Sequence, residues 1–199
     1  MIVGLTGGIG SGKTTVLNMF KAFDTEIFIA DKEAKNIMNS DAKLKQQIIK
    51  LLGKNAYKNN IVNRDYIALQ VFENADKLKA LNQLVHPKVK AALQTKASEN
   101  SNKILIYEAA ILFESGSYNF CDYIITVIAP LEERIARIIK RDKVNRQDVL
   151  ARIKNQLNDF EKIKKSQFVI KNHNLLSTNQ QVLTIFELLT KLLKKNKSS

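Results

Sequence analysis

Residues 2–15 read Ile2-Val3-Gly4-Leu5-Thr6-Gly7-Gly8-Ile9-Gly10-Ser11-Gly12-Lys13-Thr14-Thr15, and this stretch decides the fold. Ile2–Thr6 is a short apolar run bounded by glycine, which predicts a strand. Val16, Leu17, Phe20 and Phe23 recur at helical spacing, so Lys13 to about Ala22 reads as a helix. Between strand and helix, Gly7-Gly8-Ile9-Gly10-Ser11-Gly12-Lys13-Thr14 fits G-x-x-x-x-G-K-[ST] at every fixed position. Gly8, Gly10 and Gly12 let the backbone turn tightly and approach an anion with no Cβ in the way. The amides around Ser11 then converge on one concavity, and the helix that follows adds its positive end. Lys13 supplies a mobile ammonium for the β- and γ-phosphates, and the Thr14 hydroxyl is the expected Mg²⁺ ligand. The segment therefore reads as a cradle for ATP or GTP with Mg²⁺.

Working outward, Glu26–Ala30 reads as a second strand, and 31–100 as a long, polar-rich helical stretch. Within that stretch Leu44, Ile48, Leu51 and Leu52 form one apolar stripe, and Leu78, Leu81, Leu84 and Val85 another. His86-Pro87 predicts a break there, with Pro87 in the first turn of a new helix. Ile104–Tyr107 and Tyr123–Ile128 are near-continuous β-prone runs, as in a parallel sheet covered on both faces. Ala129-Pro130 introduces a helix, Phe168–Ile170 is a fifth strand, and Val182, Phe186, Leu189 and Leu193 mark a closing helix. Strands alternating with helices imply βαβ units.

Composition narrows the class further. A chain of 199 residues that is 45% hydrophobic can bury a core and is too apolar to be disordered. The net charge of +13 favours acidic partners, namely nucleic acid, anionic lipid or polyphosphate metabolites, or else reflects a solvated surface. Lysines run along the whole chain, and Lys191, Lys194, Lys195 and Lys197 read as a frayed tail. No interleaving of aromatic and basic residues suggests a single-strand binder, so no nucleic-acid partner is expected. No apolar run approaches the ~20 residues of a membrane span, so no membrane partner is expected either. The single Cys121 cannot form an intramolecular disulfide and reads as a small buried side chain. With no secretory leader legible at Met1, the expectation is a soluble cytoplasmic protein, a monomer or small homo-oligomer.

Candidate chemistry lies at strand ends and on one helix. Asp31 closes the second strand, where a carboxylate can orient or deprotonate an attacking hydroxyl; alternatively it caps a helix starting at Lys32. Five of the six arginines (Arg134, Arg137, Arg141, Arg146, Arg152) cluster in one segment. Arg134, Arg137 and Arg141 share a helix face suited to phosphates, or to solvent with Glu132, Glu133 and Asp142 as partners. Glu108 either reaches Mg²⁺ through water or caps Ala109–Glu114. His86 is a phosphate ligand, a base or a structural hydrogen-bonder, and His173 lies beside Asn172 beyond the fifth strand.

Six segments together resemble the dephospho-CoA kinases: IVGLTGGIGSGKTT at 2–15, IADKEAK at 29–35, LVHPKV at 84–89, ILFES at 111–115, the stretch from Val127 to Arg152, and FVIKNHN at 168–174. The resemblance is collinear and covers nearly the whole chain. It implies an α/β P-loop kinase fold with a five-stranded parallel sheet, a helical substrate-binding insertion and an Arg-rich lid. The corresponding domain reading is one domain over 1–199, with a core at about 1–30, 101–133 and 166–199, a helical region at about 31–100 and a lid at about 134–165. The implied reaction is ATP-dependent phosphorylation of the ribose 3′-hydroxyl of dephospho-CoA, the last step of coenzyme A synthesis. Within it Asp31 is the base or orienter, Gly10–Thr15 (Thr15 included) holds ATP, and Arg137 and Arg141 belong to the lid. Asn172 lies near the nucleotide base, and Asp31, Lys35 and His86 face the coenzyme precursor. Three positions depart from the pattern usual in that family: Ile29 replaces a first aspartate, Lys35 an arginine, and Ala110-Ile111-Leu112 a Pro-Leu-Leu run. Other readings are a nucleoside monophosphate kinase or a nucleic-acid-dependent ATPase.

Overall fold

The computed structural model describes residues 1–72 and 74–195. Strand β1 (Ile2–Gly7) runs into the glycine loop and helix α1 (Lys13–Phe20), and β2 (Thr25–Ile29) follows. Next come α2 (Ala30–Ser40), α3 (Ala42–Leu52), the short strands β3 (Tyr57–Lys58) and β4 (Ile61–Val62), α4 (Arg64–Phe72) and α5 (Ala75–Glu99). The chain finishes with β5 (Ile104–Glu108), β6 (Tyr123–Ile128), α6 (Leu131–Asp142), α7 (Arg146–Lys154), α8 (Asp159–Lys164), β7 (Phe168–Lys171) and α9 (Leu175–Lys195). Two compact units result: residues 1–28 with the chain from Asn100 onward, and Ile29–Glu99.

The first unit is built on a five-stranded parallel sheet in the order β2-β5-β1-β6-β7. Strand β1 sits at its centre, paired with β5 (Leu5 opposite Glu108) and with β6 (Gly7 opposite Val127). Val3, Leu5, Ile106, Ile125 and Val127 are completely buried, which explains why these strands read as continuous apolar runs rather than alternating ones. Helix α1 buries Val16, Leu17 and Phe20, and α9 buries Val182, Ile185 and Leu189. Where the sequence reads a frayed lysine tail, α9 continues through Lys191, Lys194 and Lys195. Basic side chains in a last turn complement the negative end of the helix, so they extend it rather than fray it. Lys197 lies outside the described residues.

In the second unit α2, α3 and α4 pack on α5. Its core is Leu44, Ile48, Leu52, Val62, Ile67, Leu81, Val85, Val89 and Leu93. Two features differ from the sequence reading. His86-Pro87 does not break the chain: α5 is one helix of 25 residues with Pro87 inside it. A mid-helix proline costs about 3 kcal/mol. The buried stripe Leu81, Val85, Val89, Leu93 passes uninterrupted on the other side, while Pro87 is exposed, so packing outweighs the missing hydrogen bond. The second difference is a β3–β4 hairpin within the stretch read as helical. Asn59 (φ 50°) and Asn60 (φ 67°) form its turn, a conformation that asparagine tolerates and that matches strand twist. Val62 N–H donates to Asn39 Oδ1 at 2.8 Å and Tyr57 O–H to Met38 O at 2.8 Å, tying the hairpin to α2.

Candidate active site

The site starts where β1 delivers the chain into the loop 8–12. Gly12 adopts φ 91°, ψ 30°, a left-handed conformation that turns the chain into α1. Without a side chain at that capping position, the first-turn amides of α1 have no side-chain acceptor, leaving an electropositive helix end. Lys13 Nζ donates to Gly7 O at 2.9 Å, so the ammonium is held over the loop. Thr14 is exposed on the first turn, Thr15 is half-buried, and Ser11 is buried with its hydroxyl unbonded among the described residues.

The outside of the loop is braced from three places. Ile9 N–H donates to Gln156 Oε1 at 2.7 Å, and Ile9 O accepts from Arg134 Nε at 2.9 Å. Asn172, 4% exposed, donates from Nδ2 to Ser11 O at 2.8 Å, and its Oδ1 accepts from Thr178 at 3.1 Å. A Cβ on Gly12 would run into that amide. Arg137 reaches Gly10 O (3.4 Å) and Asn172 O (3.1 Å). Gly8, Gly10, Ser11, Gly12, Lys13, Thr14, Thr15, Arg137 and Asn172 therefore gather at one place. The bond shown by Asn172 is to the loop itself, a bracing contact that motif reading did not foresee.

The arginine segment differs from a bare phosphate-facing stripe. Every member has a carboxylate: Arg134–Asp159 2.9 Å, Arg137–Glu133 2.8 Å, Arg141–Asp142 2.7 Å, Arg146–Glu132 2.7 Å and Arg152–Asp142 2.8 Å. Arg134 does not share the exposure of Arg137 and Arg141; it is 5% exposed and turned onto Ile9. The other four pairs are at least partly solvated, and such pairs are worth about 0–1 kcal/mol each, so they can exchange partners cheaply. The hydrogen bond from Arg141 holds the Asp142 carboxyl below the usual range, with Arg152 adding to it. His173 Nδ1 lies 3.5 Å from Glu133 Oε1.

In the second unit Asp31 and Lys35 stand one turn apart on α2, both exposed. Helix α2 starts at Ala30, and its capping position is Ile29, in extended conformation with no side-chain bond. Asp31 is thus inside the first turn and is not the cap; it makes no hydrogen bond or ion pair among the described residues. His86 is half-buried on α5, and burial pushes its imidazole below the ordinary histidine value, favouring the neutral form.

Two further sequence candidates are Glu108, at the end of β5, and Cys121. The Ala109–Glu114 segment after Glu108 is a run of turns rather than a helix. Cys121 packs over Gly4, and burial, reinforced by the Asp122 charge, pushes its thiol up to about 12, which removes it as a nucleophile at neutral pH. Gln156 and Asp159 carry no motif, and only the folded structure reveals their contacts with the loop and with Arg134.

The dephospho-CoA kinase (CoaE) family model matches residues 1–178. A dephospho-CoA kinase of Fusobacterium nucleatum is 40% identical over 177 residues, 88% of this chain and 91% of that protein. The crystal structure of a Thermus thermophilus protein superposes with TM-score 0.86 at 30% identity, covering 94% of this chain and 96% of that one. The structure of a dephospho-CoA kinase from Campylobacter jejuni gives TM-score 0.71 at 29% identity, with 96% and 97% covered.

Proposed function

The chain belongs to the dephospho-CoA kinase family, and on that premise we propose how its own residues phosphorylate dephospho-CoA at the expense of ATP. The transfer is in-line, from the γ-phosphate of ATP to the ribose 3′-hydroxyl. The observation that carries this reading is the loop at Gly8–Thr15: left-handed glycines, an uncapped helix end and an ammonium, which together form an anion cradle. Phosphoryl transfer asks little covalent chemistry of a protein and much positioning and charge neutralisation.

Lys13 leaves the Gly7 carbonyl for the β- and γ-phosphates, and the first-turn amides of α1 receive the remaining oxygens. Arg137 and Arg141 exchange their solvated carboxylate partners for phosphate oxygens, stabilising charge that spreads over the transferring group. Asp31 orients the 3′-hydroxyl and accepts its proton; its freedom from capping and pairing leaves the carboxylate available. Lys35, on the same face, offers a cation to the coenzyme precursor, and His86 offers a neutral imidazole. Thr14 is the residue that would hold Mg²⁺, because its hydroxyl follows Lys13 in the cradle motif and is exposed on the first turn of α1. Held there, Mg²⁺ would supply neutralisation of phosphate charge.

Among the described residues no helix is long and apolar enough to cross a membrane. We place the enzyme in the cytoplasm, as a monomer or small homo-oligomer with two small-molecule substrates. The test is ADP release from ATP with dephospho-CoA, AMP, CMP and shikimate offered in parallel. Turnover with dephospho-CoA is expected to exceed the others by orders of magnitude. Preference for any of the other three, or ATP hydrolysis driven by DNA, would overturn the reading.

A further inference from the structure

We propose that Gln156 and Arg134 are positioning residues for ATP: they hold the phosphate loop in its receptive shape from outside, through both backbone groups of Ile9. The inference rests on the reading that the loop receives ATP, and it assigns a task to residues that never touch the nucleotide.

A peptide group in a phosphate loop can spend its N–H on the ligand or on the protein. At Ile9 both groups are spent on the protein, the N–H on Gln156 Oε1 (2.7 Å) and the carbonyl on Arg134 Nε (2.9 Å). The Ile9 side chain is a third link, packed against Ile135, Ile138 and Val149 together with Val144 and Ile153. All three links come from the α6–α7 segment and the residues just beyond it. Asp159, from the start of α8, sets the guanidinium by taking Arg134 Nη1 at 2.9 Å. A Cβ on Gly8 would run into the same guanidinium, so the glycine there serves Arg134 as much as the anion. Arg134 is therefore committed to the loop backbone and is not a phosphate ligand, unlike its helical neighbour Arg137. Gln156 holds the Gly8–Ile9 peptide and Arg134 the Ile9–Gly10 peptide, so removing either brace loosens one of the two peptide planes that meet at Ile9 and lowers the fraction of molecules with the cradle preformed. Apparent ATP affinity falls by that fraction, while the affinity for the acceptor stays as it was.

Gln156→Met and Gln156→Glu separate this from a stability role, because Gln156 is only half-buried and lies beyond the end of α7. The methionine keeps the shape and removes the acceptor; the glutamate keeps an acceptor oxygen. Steady-state kinetics and calorimetry with ATP should show KM and Kd for ATP raised about tenfold in Gln156→Met, the loss expected of one unsatisfied amide. KM for dephospho-CoA should stay within about twofold and the melting temperature within a few degrees. Gln156→Glu should restore most of the ATP affinity. Unchanged ATP affinity in Gln156→Met would overturn the proposal, as would a parallel rise in both KM values with a large fall in melting temperature. Wild-type protein that takes up no ATP would bring down the cradle reading and this inference with it; the first two results strike the inference alone.

Discussion

Replacing Asp31 by asparagine separates chemistry from architecture at the most consequential position. Had Asp31 been the cap of α2, its loss would cost about 1 kcal/mol of stability. It is instead exposed in the first turn, with Ile29 in the capping position. The remaining structural contribution is its charge near the positive helix end, worth about 0.3–1 kcal/mol and towards the low end for an exposed group. A loss of about 0.5 kcal/mol corresponds to a melting shift of about 1–2 °C in a chain of this size. The catalytic loss is on another scale: removing a positioned proton acceptor lowers turnover by about 10²–10⁴, or roughly 3–5 kcal/mol of barrier. Differential scanning fluorimetry, ATP calorimetry and steady-state kinetics on Asp31→Asn should therefore show a nearly unchanged melting temperature, unchanged ATP affinity and a turnover reduced at least about a hundredfold. Turnover within about threefold of wild type would refute the assignment. So would a turnover loss matched by a melting shift of many degrees.

Four other outcomes follow from the same geometry. Arg141→Ala should reduce kcat by more than it raises either KM while costing at most about 1 kcal/mol in urea unfolding, because Asp142 keeps Arg152 at 2.8 Å; wild-type kcat would remove Arg141 from the lid. Gly12→Ala forces a left-handed alanine against the amide of Asn172, and should cost about 2–4 kcal/mol in urea unfolding from backbone strain and the broken bond to Ser11; a change below about 0.5 kcal/mol would contradict it. Cys121, with its thiol pushed up to about 12, should resist iodoacetamide at pH 8 in the native protein and react on unfolding; rapid native labelling would show an accessible thiolate. Stability should fall on acidification from about pH 5 to about pH 3, as measured by urea unfolding at each pH. The sign follows from Asp142, held down chiefly by Arg141, and Asp41, held down chiefly by Lys88: their folded values lie below the unfolded ones, so the stabilisation is complete above the unfolded value and lost as pH drops through the folded one. A flat profile across that interval would contradict these pairings.

What could be read from the sequence was what is encoded locally. Eight consecutive residues define the cradle, and the buried parallel strands announce themselves as short apolar runs. Asp31 was legible as a candidate because it follows a strand; only the folded helix decides that it is not a cap. Pro87 misled because local steric preference argues for a break, whereas the stripe Leu81, Val85, Val89, Leu93 stabilises one continuous helix. The hairpin carried a signal in Asn59-Asn60, overlooked within a polar stretch whose apolar spacing suited helices. The braces were illegible for a different reason. Ile9 and Gln156 are 147 residues apart in sequence and Ile9 and Arg134 are 125 apart, and no short pattern reports such pairs. On the arginine segment Glu132, Glu133 and Asp142 are legible as neighbouring acids, whereas Asp159 stands 25 residues from Arg134 and is not.

The most direct measurement follows the terminal phosphorus itself. Purified enzyme would be given ATP labelled in its γ-phosphate and dephospho-CoA, and the product examined by mass spectrometry and phosphorus–proton correlation. One label per acceptor is expected, with the new phosphorus coupled to the ribose proton at carbon 3′, and ADP formed in equal amount. Label recovered only as inorganic phosphate, or attached at any other position, would contradict that expectation.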